Sequence, residues 1–459
     1  MIDELNKASS ATDTKEKSVE ELVESSVATD AVELPVKSKP AEESGEQATI
    51  VDESNDTATL SEDEVLLDSK ESDEPEFMSF ATLELQESLL GAIHKCGFTH
   101  CTPIQEETLP ISLTGVDVIG KAQTGTGKTA AFLITAFEHL LKNPIDINDR
   151  FAGEPRVLVI APTRELAYQI EKDAKALNGG NILNIFSVVG GMDYDPQQYT
   201  LNNYVIDILV ATPGRLIDFL NKEDVYLDQV ELLILDEADR MLDMGFIPDI
   251  KRILRRTTPR EERQTLLFSA TFNQDVLNLA SLWTVDAEFV EIETDSVAAD
   301  TVEQKVFLVT ASEKKKHLLN FLENEPVEKV IIFTNRRDQA RNIEEYLRRA
   351  GINSALLTGD VVQSKRLKVL DRFKSGQIKV LVATDVAGRG LHIAGISHVI
   401  NYNLPDDPED YIHRIGRTGR AGTEGIAITF ACEDEAFSLP EIEKYMGKKL
   451  ECTQPKQLG

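Results

Sequence analysis

Short, nearly continuous apolar runs that alternate with helical stretches constrain this chain more than any other feature. The runs VDVIGKA (116–122), RVLVIAP (156–162), DILVATP (207–213), LLILDEAD (232–239) and TLLFSAT (265–271) are rich in β-formers and reach small or turn-forming residues at their ends. The acidic stretch EIETDSVAADTVEQ (291–304) then lacks a clear helical period. After it the alternation restarts with KVIIFTN (329–335), SALLTG (354–359), KVLVATD (379–385), HVINYN (398–403) and GIAITFA (425–431). Strands without polar alternation are buried on both faces, and the intervening helices supply the cover. The pattern therefore predicts an α/β chain with two tandem domains, residues 77–297 and 298–459, each a mostly parallel sheet flanked by helices. They are joined by a short linker with its boundary near residue 297. No sequence repeat links the halves, so they are expected to be architectural analogues at most.

Residues 1–76 read differently. They hold no Phe, Tyr or Trp, only one Gly, and 23 acidic against 6 basic residues, a net −17. Such a segment cannot bury enough apolar surface to offset the entropy of ordering, so a disordered acidic tail is expected until the aromatics begin at Phe77 and Phe80. The whole chain carries −31, which leaves −14 on the remainder and excludes a uniformly basic nucleic-acid coat. Cys96, Cys101, Cys432 and Cys452 are too few in 459 residues for a disulfide framework and match no zinc spacing, so free thiols and no disulfides are expected. The start MIDELNKASS lacks the basic and apolar regions of a signal peptide, and no apolar run approaches the roughly 18 residues that span a bilayer. A cytoplasmic protein without a membrane partner is the expectation.

Chemistry first shows itself at AQTGTGKT (122–129), which follows an expected strand and opens an expected helix. Gly125 and Gly127 let the backbone curl so that its N–H groups face a phosphate, and the helix N-terminus adds its dipole. Ala122, Gln123, Thr124, Gly125 and Thr126 would wrap the phosphates, Lys128 would reach the β- and γ-phosphates, and Thr129 would hold Mg²⁺. The alternative, taken alone, is a Gly-rich strand–helix turn that binds nothing. The run LLIL followed by Asp236, Glu237, Ala238 and Asp239 adds a buried strand that delivers adjacent carboxylates to its C-terminal edge, where open α/β sheets bind ligands. Asp236 would hold the same Mg²⁺, with Thr129 directly or both through water, and Glu237 would orient or deprotonate an attacking water. A nucleotide carrying β- and γ-phosphates, together with Mg²⁺, is implied.

With these motifs in place, the chain resembles the DEAD-box ATP-dependent RNA helicases from Phe80 to about residue 446. GFTHCTPIQ (97–105) matches the family's Q motif, with Phe80 seventeen residues upstream of Gly97. The resemblance implies that the nucleotide is ATP, that Gln105 reads its adenine and that Phe80 stacks nearby. It implies RNA contact by Pro162, Thr163 and Arg164 in PTREL, by Gly190 and Gly191, and by Thr212, Pro213, Gly214 and Arg215 in TPGR. It also assigns Ser269 and Thr271 of the Ser-Ala-Thr run, with Asp239 and His413, to coupling between the domains.

In the second domain HRIGRTGR (413–420) is a cluster of arginines and a histidine spaced by glycines, which on its own is a basic turn suited to any anion. By the resemblance, Arg417 and Arg420 are fingers that meet the γ-phosphate when the domains close, and Asp385 binds the ribose. Gly359, Gln363, Arg366 and Thr384 are implied RNA contacts through phosphates and hydroxyls, which fix position without reading bases. Within the family, LLTGDV (356–361), RGLHI (389–393) with His392, NLPDD (403–407) and YIHRIGRTGRAG (411–422) are similar to the bacterial RhlB type. That type implies RNA turnover and a partnership with an endoribonuclease-based RNA degradosome. Two rivals stand beside the expected helicase: a DNA translocase on the same pair of domains, and an ATP-gated RNA clamp with slow hydrolysis.

Overall fold

The computed structural model describes residues 77–454 except 124, 180–182, 293–301, 389–392, 394 and 420–424. The acidic tail, Thr124, His392 and Arg420 thus lie outside the described residues. Seven strands form the first sheet: β1 (Val118–Lys121), β2 (Val157–Ile160), β3 (Ile185–Val188), β4 (Ile208–Ala211), β5 (Leu232–Asp236), β6 (Gln264–Ser269) and β7 (Glu288–Glu291). Seven more form the second: β8 (Val302–Leu308), β9 (Val330–Thr334), β10 (Ser354–Leu357), β11 (Val380–Thr384), β12 (His398–Asn401), β13 (Gly425–Ala431) and β14 (Cys452–Thr453). All pairings are parallel. The orders are β3-β4-β2-β5-β6-β1-β7 and β10-β11-β9-β12-β13-β8-β14, which is one topology used twice. The change of sheet falls between Glu291 and Val302, so the expected boundary near 297 lies among residues 293–301, outside the described ones.

Each sheet is covered on both faces, as its continuous apolar strands require. Along β2, Val157 and Val159 enter one core while Leu158 and Ile160 enter the other; β5 divides Leu232 and Ile234 from Leu233 and Leu235 in the same way. In the second lobe, Val330 and Ile332 of β9 face one core and Ile331 and Phe333 the opposite one. Each fully buried aliphatic side chain contributes about 1.5–3 kcal/mol relative to exposure. All ten apolar runs became strands. The four strands without such a run are β3, β7, β8 and β14. Three of these are weak signals for a physical reason: β7 buries only Val290, β8 alternates buried and exposed residues, and β14 has two residues, both exposed. The N-terminal part of β8 falls inside the stretch read as linker. Among the described residues no helix is long and apolar enough to cross a membrane.

Candidate active site at the interlobe cleft

The phosphate loop leaves β1 and ends at Gly127, the left-handed N-cap of the helix Lys128–Lys142. Gly125 and Gly127 have φ of 94° and 100°, a region that side chains disfavour. A Cβ on Gly127 would lie 2.5 Å from Gln105 Nε2, so the loop needs glycine for space as well. Gln105 explains that closeness. Its Nε2 donates to the Gly127 carbonyl at 3.0 Å and its Oε1 accepts from Thr102 N at 2.9 Å, which binds the Q motif to the loop. Within the loop, Thr126 Oγ1 donates to the Gln123 carbonyl at 2.8 Å. Lys128, 5% exposed, donates to the Ala122 carbonyl at 2.5 Å.

Strand β5 delivers the carboxylates. Asp236 is 3% and Glu237 8% exposed. Burial pushes the Asp236 carboxyl up to about 7; Lys128 opposes the rise and Glu237 adds to it. Glu237 itself has φ 56° and ψ 54°, the left-handed region, and turns the chain from strand into the helix Ala238–Asp243. A residue with a side chain held there costs roughly 1–2 kcal/mol. Its Oε2 accepts from Arg240 Nη1 at 3.2 Å. Gly125, Gly127, Lys128, Thr129, Asp236 and Glu237 line a cleft of about 640 Å³ with Lys95 and Phe98. Phe80, expected beside a base, is fully buried in the first lobe's core and does not line this cleft. The ring at the mouth is Phe98, 43% exposed, which sequence reasoning had left unassigned inside the Q motif.

The residues expected to couple the domains lie close together. Asp239 Oδ2 accepts from Ala270 N at 3.0 Å, Thr271 N at 2.9 Å and Thr271 Oγ1 at 3.0 Å, while Ser269 Oγ accepts from Asp239 N at 3.1 Å. His413 and Arg417 of the second lobe line one small cavity with Lys128, Glu237, Asp239 and Ala270 of the first. Glu409, one turn before His413, also reaches this junction. Burial raises its carboxyl, nearby Asp239 and Asp243 raise it further, and a hydrogen bond with Thr271 opposes them.

On the opposite side of the cleft the residues expected to touch RNA are arranged less simply. Thr163, 9% exposed, caps the helix Arg164–Leu177 by accepting from Leu166 N at 3.3 Å, and Pro162 beside it is buried. The Arg164 guanidinium lies over Gly190 and Gly191, where a Cβ on Gly191 would collide with it. Thr212 Oγ1 accepts from Gly190 N at 3.4 Å, and Pro213 and exposed Gly214 open the next helix. Arg215 donates to the Met192 carbonyl at 3.0 Å and packs on the rings of Tyr194 and Phe219, so it braces the loop from within. Arg366, expected at a phosphate, is committed elsewhere. It is 8% exposed and donates to Glu165 Oε1 at 2.7 Å and to the Thr358 carbonyl at 3.0 Å. Gln363 joins it, donating to Glu165 at 3.1 Å and accepting from Arg164 at 3.4 Å. These residues clasp the two lobes, with exposed Gly359 beside them and buried Thr384 at the end of β11. Asp385 follows Thr384 and takes Arg414 by two hydrogen bonds of 2.6 and 2.7 Å, a pairing within the second lobe that motif reading did not foresee.

Two family models match, DEAD/DEAH box helicase over residues 102–279 and helicase conserved C-terminal domain over residues 313–422. An ATP-dependent RNA helicase RhlB of Pseudomonas putida is 57% identical over 376 residues, covering 82% of this chain and 94% of the relative. The RhlB of Shewanella frigidimarina is 47% identical and covers 81% and 85%. This chain belongs to the DEAD-box RNA helicases. Among solved structures, S. cerevisiae Dbp5 bound to RNA and ADP BeF3 superimposes with a TM-score of 0.72 at 31% identity, over 82% of this chain and 95% of that one. Mss116 bound to ssRNA and UDP-BeF gives 0.74 at 30% identity, over 82% and 80%. Both relatives carry the RhlB name to which LLTGDV and YIHRIGRTGRAG pointed, and the helicase shares with its structural neighbours the tandem RecA-like architecture.

Proposed function

We propose that this DEAD-box RNA helicase hydrolyses ATP when RNA holds its two lobes together, and uses the closure to separate short duplexes or remodel ribonucleoprotein. The observation that carries this reading is the shared cavity in which Lys128 and Glu237 of one lobe meet His413 and Arg417 of the other. Lys128 and the loop Ala122–Thr129 grip the phosphates, Phe98 flanks the base beside the loop that Gln105 braces, and Glu237 orients or deprotonates the attacking water. Arg417, with Arg420, stabilises the charge that develops on the transferred phosphoryl group; such fingers are worth about 10³–10⁵ in rate. Mg²⁺ suits the site. Buried Asp236 at the end of β5 and Thr129 line the same cleft, and Mg²⁺ is ordinarily bound by one or two carboxylates plus substrate phosphates. Asp236 and Thr129 would hold it there, and it would neutralise phosphate charge.

RNA lying across both lobes favours the closed state by linkage, so hydrolysis becomes RNA-dependent. A strand bent at the cleft loses stacking at a few steps, each on the order of 1–2 kcal/mol by analogy with DNA. The clasp of Arg164, Glu165, Gln363 and Arg366 makes closure and the RNA face one event. The likeness to RhlB relatives supports a cytoplasmic role in bacterial RNA turnover, with an endoribonuclease-based degradosome as partner. A duplex-release assay under single turnover, with RNA and DNA duplexes in parallel, tests the reading. ATP-dependent release of RNA strands alone is expected. Equal release of DNA would make the substrate assignment wrong, and ATP-dependent retention without release would identify a clamp.

A further inference from the structure

Because the two sheets share one strand order, positions can be compared between lobes without sequence similarity. Lys128 is the first residue of the helix that follows β1, and the helix that follows β8, the matching strand, also begins with a lysine, Lys314. Both are buried, at 5% and 2% exposure. Their surroundings differ. The Lys314 ammonium donates to the Tyr402 carbonyl at 2.9 Å and to Glu435 Oε2 at 2.7 Å. Tyr402 directly follows β12, the counterpart of the strand that carries Asp236, and Glu435 follows β13, the counterpart of β6. The second lobe thus satisfies its lysine with a carboxylate of its own chain, at the position where the first lobe offers its lysine to a phosphate.

That carboxylate is the start of a partly buried chain of hydrogen bonds. Glu435 also accepts from Asn403 Nδ2 at 2.5 Å and from Leu404 N at 3.1 Å. The Asn403 carbonyl accepts from Arg414 Nη1 at 2.6 Å, and Asn335 donates to the Leu404 carbonyl at 2.9 Å. Arg414, 2% exposed, closes the chain on Asp385 and on Asn335 Oδ1 at 2.8 Å. Three residues on, Arg417 hangs from the same helix end: its N donates to the Arg414 carbonyl at 3.1 Å and its Nε to the His413 carbonyl at 3.0 Å.

We propose that Lys314 and Glu435 are positioning residues for ATP hydrolysis, because their pair, a buried lysine on a half-buried glutamate, fixes the Tyr402–Leu404 turn and, through Arg414, sets where His413 and Arg417 meet the first lobe. The inference rests on the reading of Arg417 as the arginine that serves the phosphoryl group. Removing Glu435 leaves the buried Lys314 ammonium uncompensated, and removing Lys314 frees the carboxylate that holds Asn403 and Leu404, so the turn must rearrange. A displacement of about 1 Å at the reacting groups costs on the order of 10²-fold in rate.

The test uses the full chain with saturating single-stranded RNA. Lys314→Met and Glu435→Gln are expected to lower kcat about 10- to 100-fold while the KM for ATP stays within about threefold, because the first lobe's nucleotide contacts are untouched. Lys314→Arg, which keeps the charge, should restore most of the rate. Leu322→Ala, a core truncation on the same helix, supplies a variant destabilised by packing alone, and its kcat should stay near the parent's below its melting temperature. If Lys314→Met lowers Tm but keeps kcat, or if Leu322→Ala loses kcat to the same degree, the pair is merely structural and the proposal is overturned. Arg417→Ala run in parallel separates the two levels. Slow hydrolysis by Arg417→Ala with normal hydrolysis by Lys314→Met defeats this inference alone, whereas normal hydrolysis by Arg417→Ala defeats the reading on which it rests.

Discussion

The two lobes have one strand order but differ in charge. Residues 77–297 hold 18 basic and 33 acidic residues, whereas residues 298–459 hold 24 and 23. The first lobe supplies the phosphate loop and the carboxylates Asp236 and Glu237; the second supplies His413 and Arg417. In the proposed function, the cation-binding half of the site would stand on an acidic lobe and the anion-stabilising half on a nearly neutral one. Neither half is complete. An acidic protein can handle RNA because phosphates need only local donors at the cleft, and each phosphate neutralised there steepens the log–log salt slope of single-strand binding by about 0.7.

The comparison can be broken most sharply in the first lobe. Glu237→Gln should lower RNA-stimulated hydrolysis about 10²- to 10⁴-fold, the range of a general base, with ATP binding retained in a fluorescent-nucleotide titration. The clasp between lobes comes next. Arg366→Glu places two carboxylates together at Glu165, and RNA-stimulated kcat should fall about 10- to 100-fold, because breaking a buried pair costs several kcal/mol. The double exchange Glu165→Arg with Arg366→Glu should regain part of the loss, and a double-mutant cycle measures how much.

A smaller effect separates function from stability. In the folded protein Asp236 titrates near 7, against an ordinary 3.8. The folded state therefore holds this proton more tightly than the unfolded state. That contribution to stability is full below about pH 4 and is lost as pH rises through about 7. Asn cannot ionise, so Asp236→Asn, inactive in hydrolysis, should be more stable than the parent at about pH 8 by roughly 1–3 kcal/mol without Mg²⁺ or nucleotide. Chemical denaturation at several pH values should show the advantage shrinking towards zero near pH 4. The smallest change is Gly191→Ala, where a Cβ at φ 74° meets the Arg164 guanidinium. It should cost about 1 kcal/mol in stability and weaken RNA binding severalfold, as read by fluorescence anisotropy.

Much of this architecture is legible in the sequence, and the part that is not has a common cause. Buried strands such as β2, β5 and β9 announce themselves because both faces must be apolar. Edge strands such as β7 and β14 need only satisfy one neighbour and can be charged or very short, so no run marks them. Within the site, Lys128, Asp236 and Glu237 were found because each belongs to a contiguous motif at the end of a strand. Glu409 and the pair Lys314–Glu435 were not, since each looks like an ordinary charge until a distant partner is brought beside it, and Arg414 and Glu165, though inside HRIGRTGR and PTREL, carry no sign in those motifs of the partners they take. The same effect redirected Arg366 and Asp385, whose motif positions suggested ligands but whose side chains are held by Glu165 and Arg414.

The central claim is that catalysis is assembled from both lobes. It is tested most directly by ATP hydrolysis with and without single-stranded RNA in the parent protein and in Arg417→Ala. The account predicts strong RNA stimulation in the parent and a loss of about 10³-fold or more in the variant, with ATP affinity little changed. Hydrolysis by Arg417→Ala at the parent's rate, still stimulated by RNA, would contradict it.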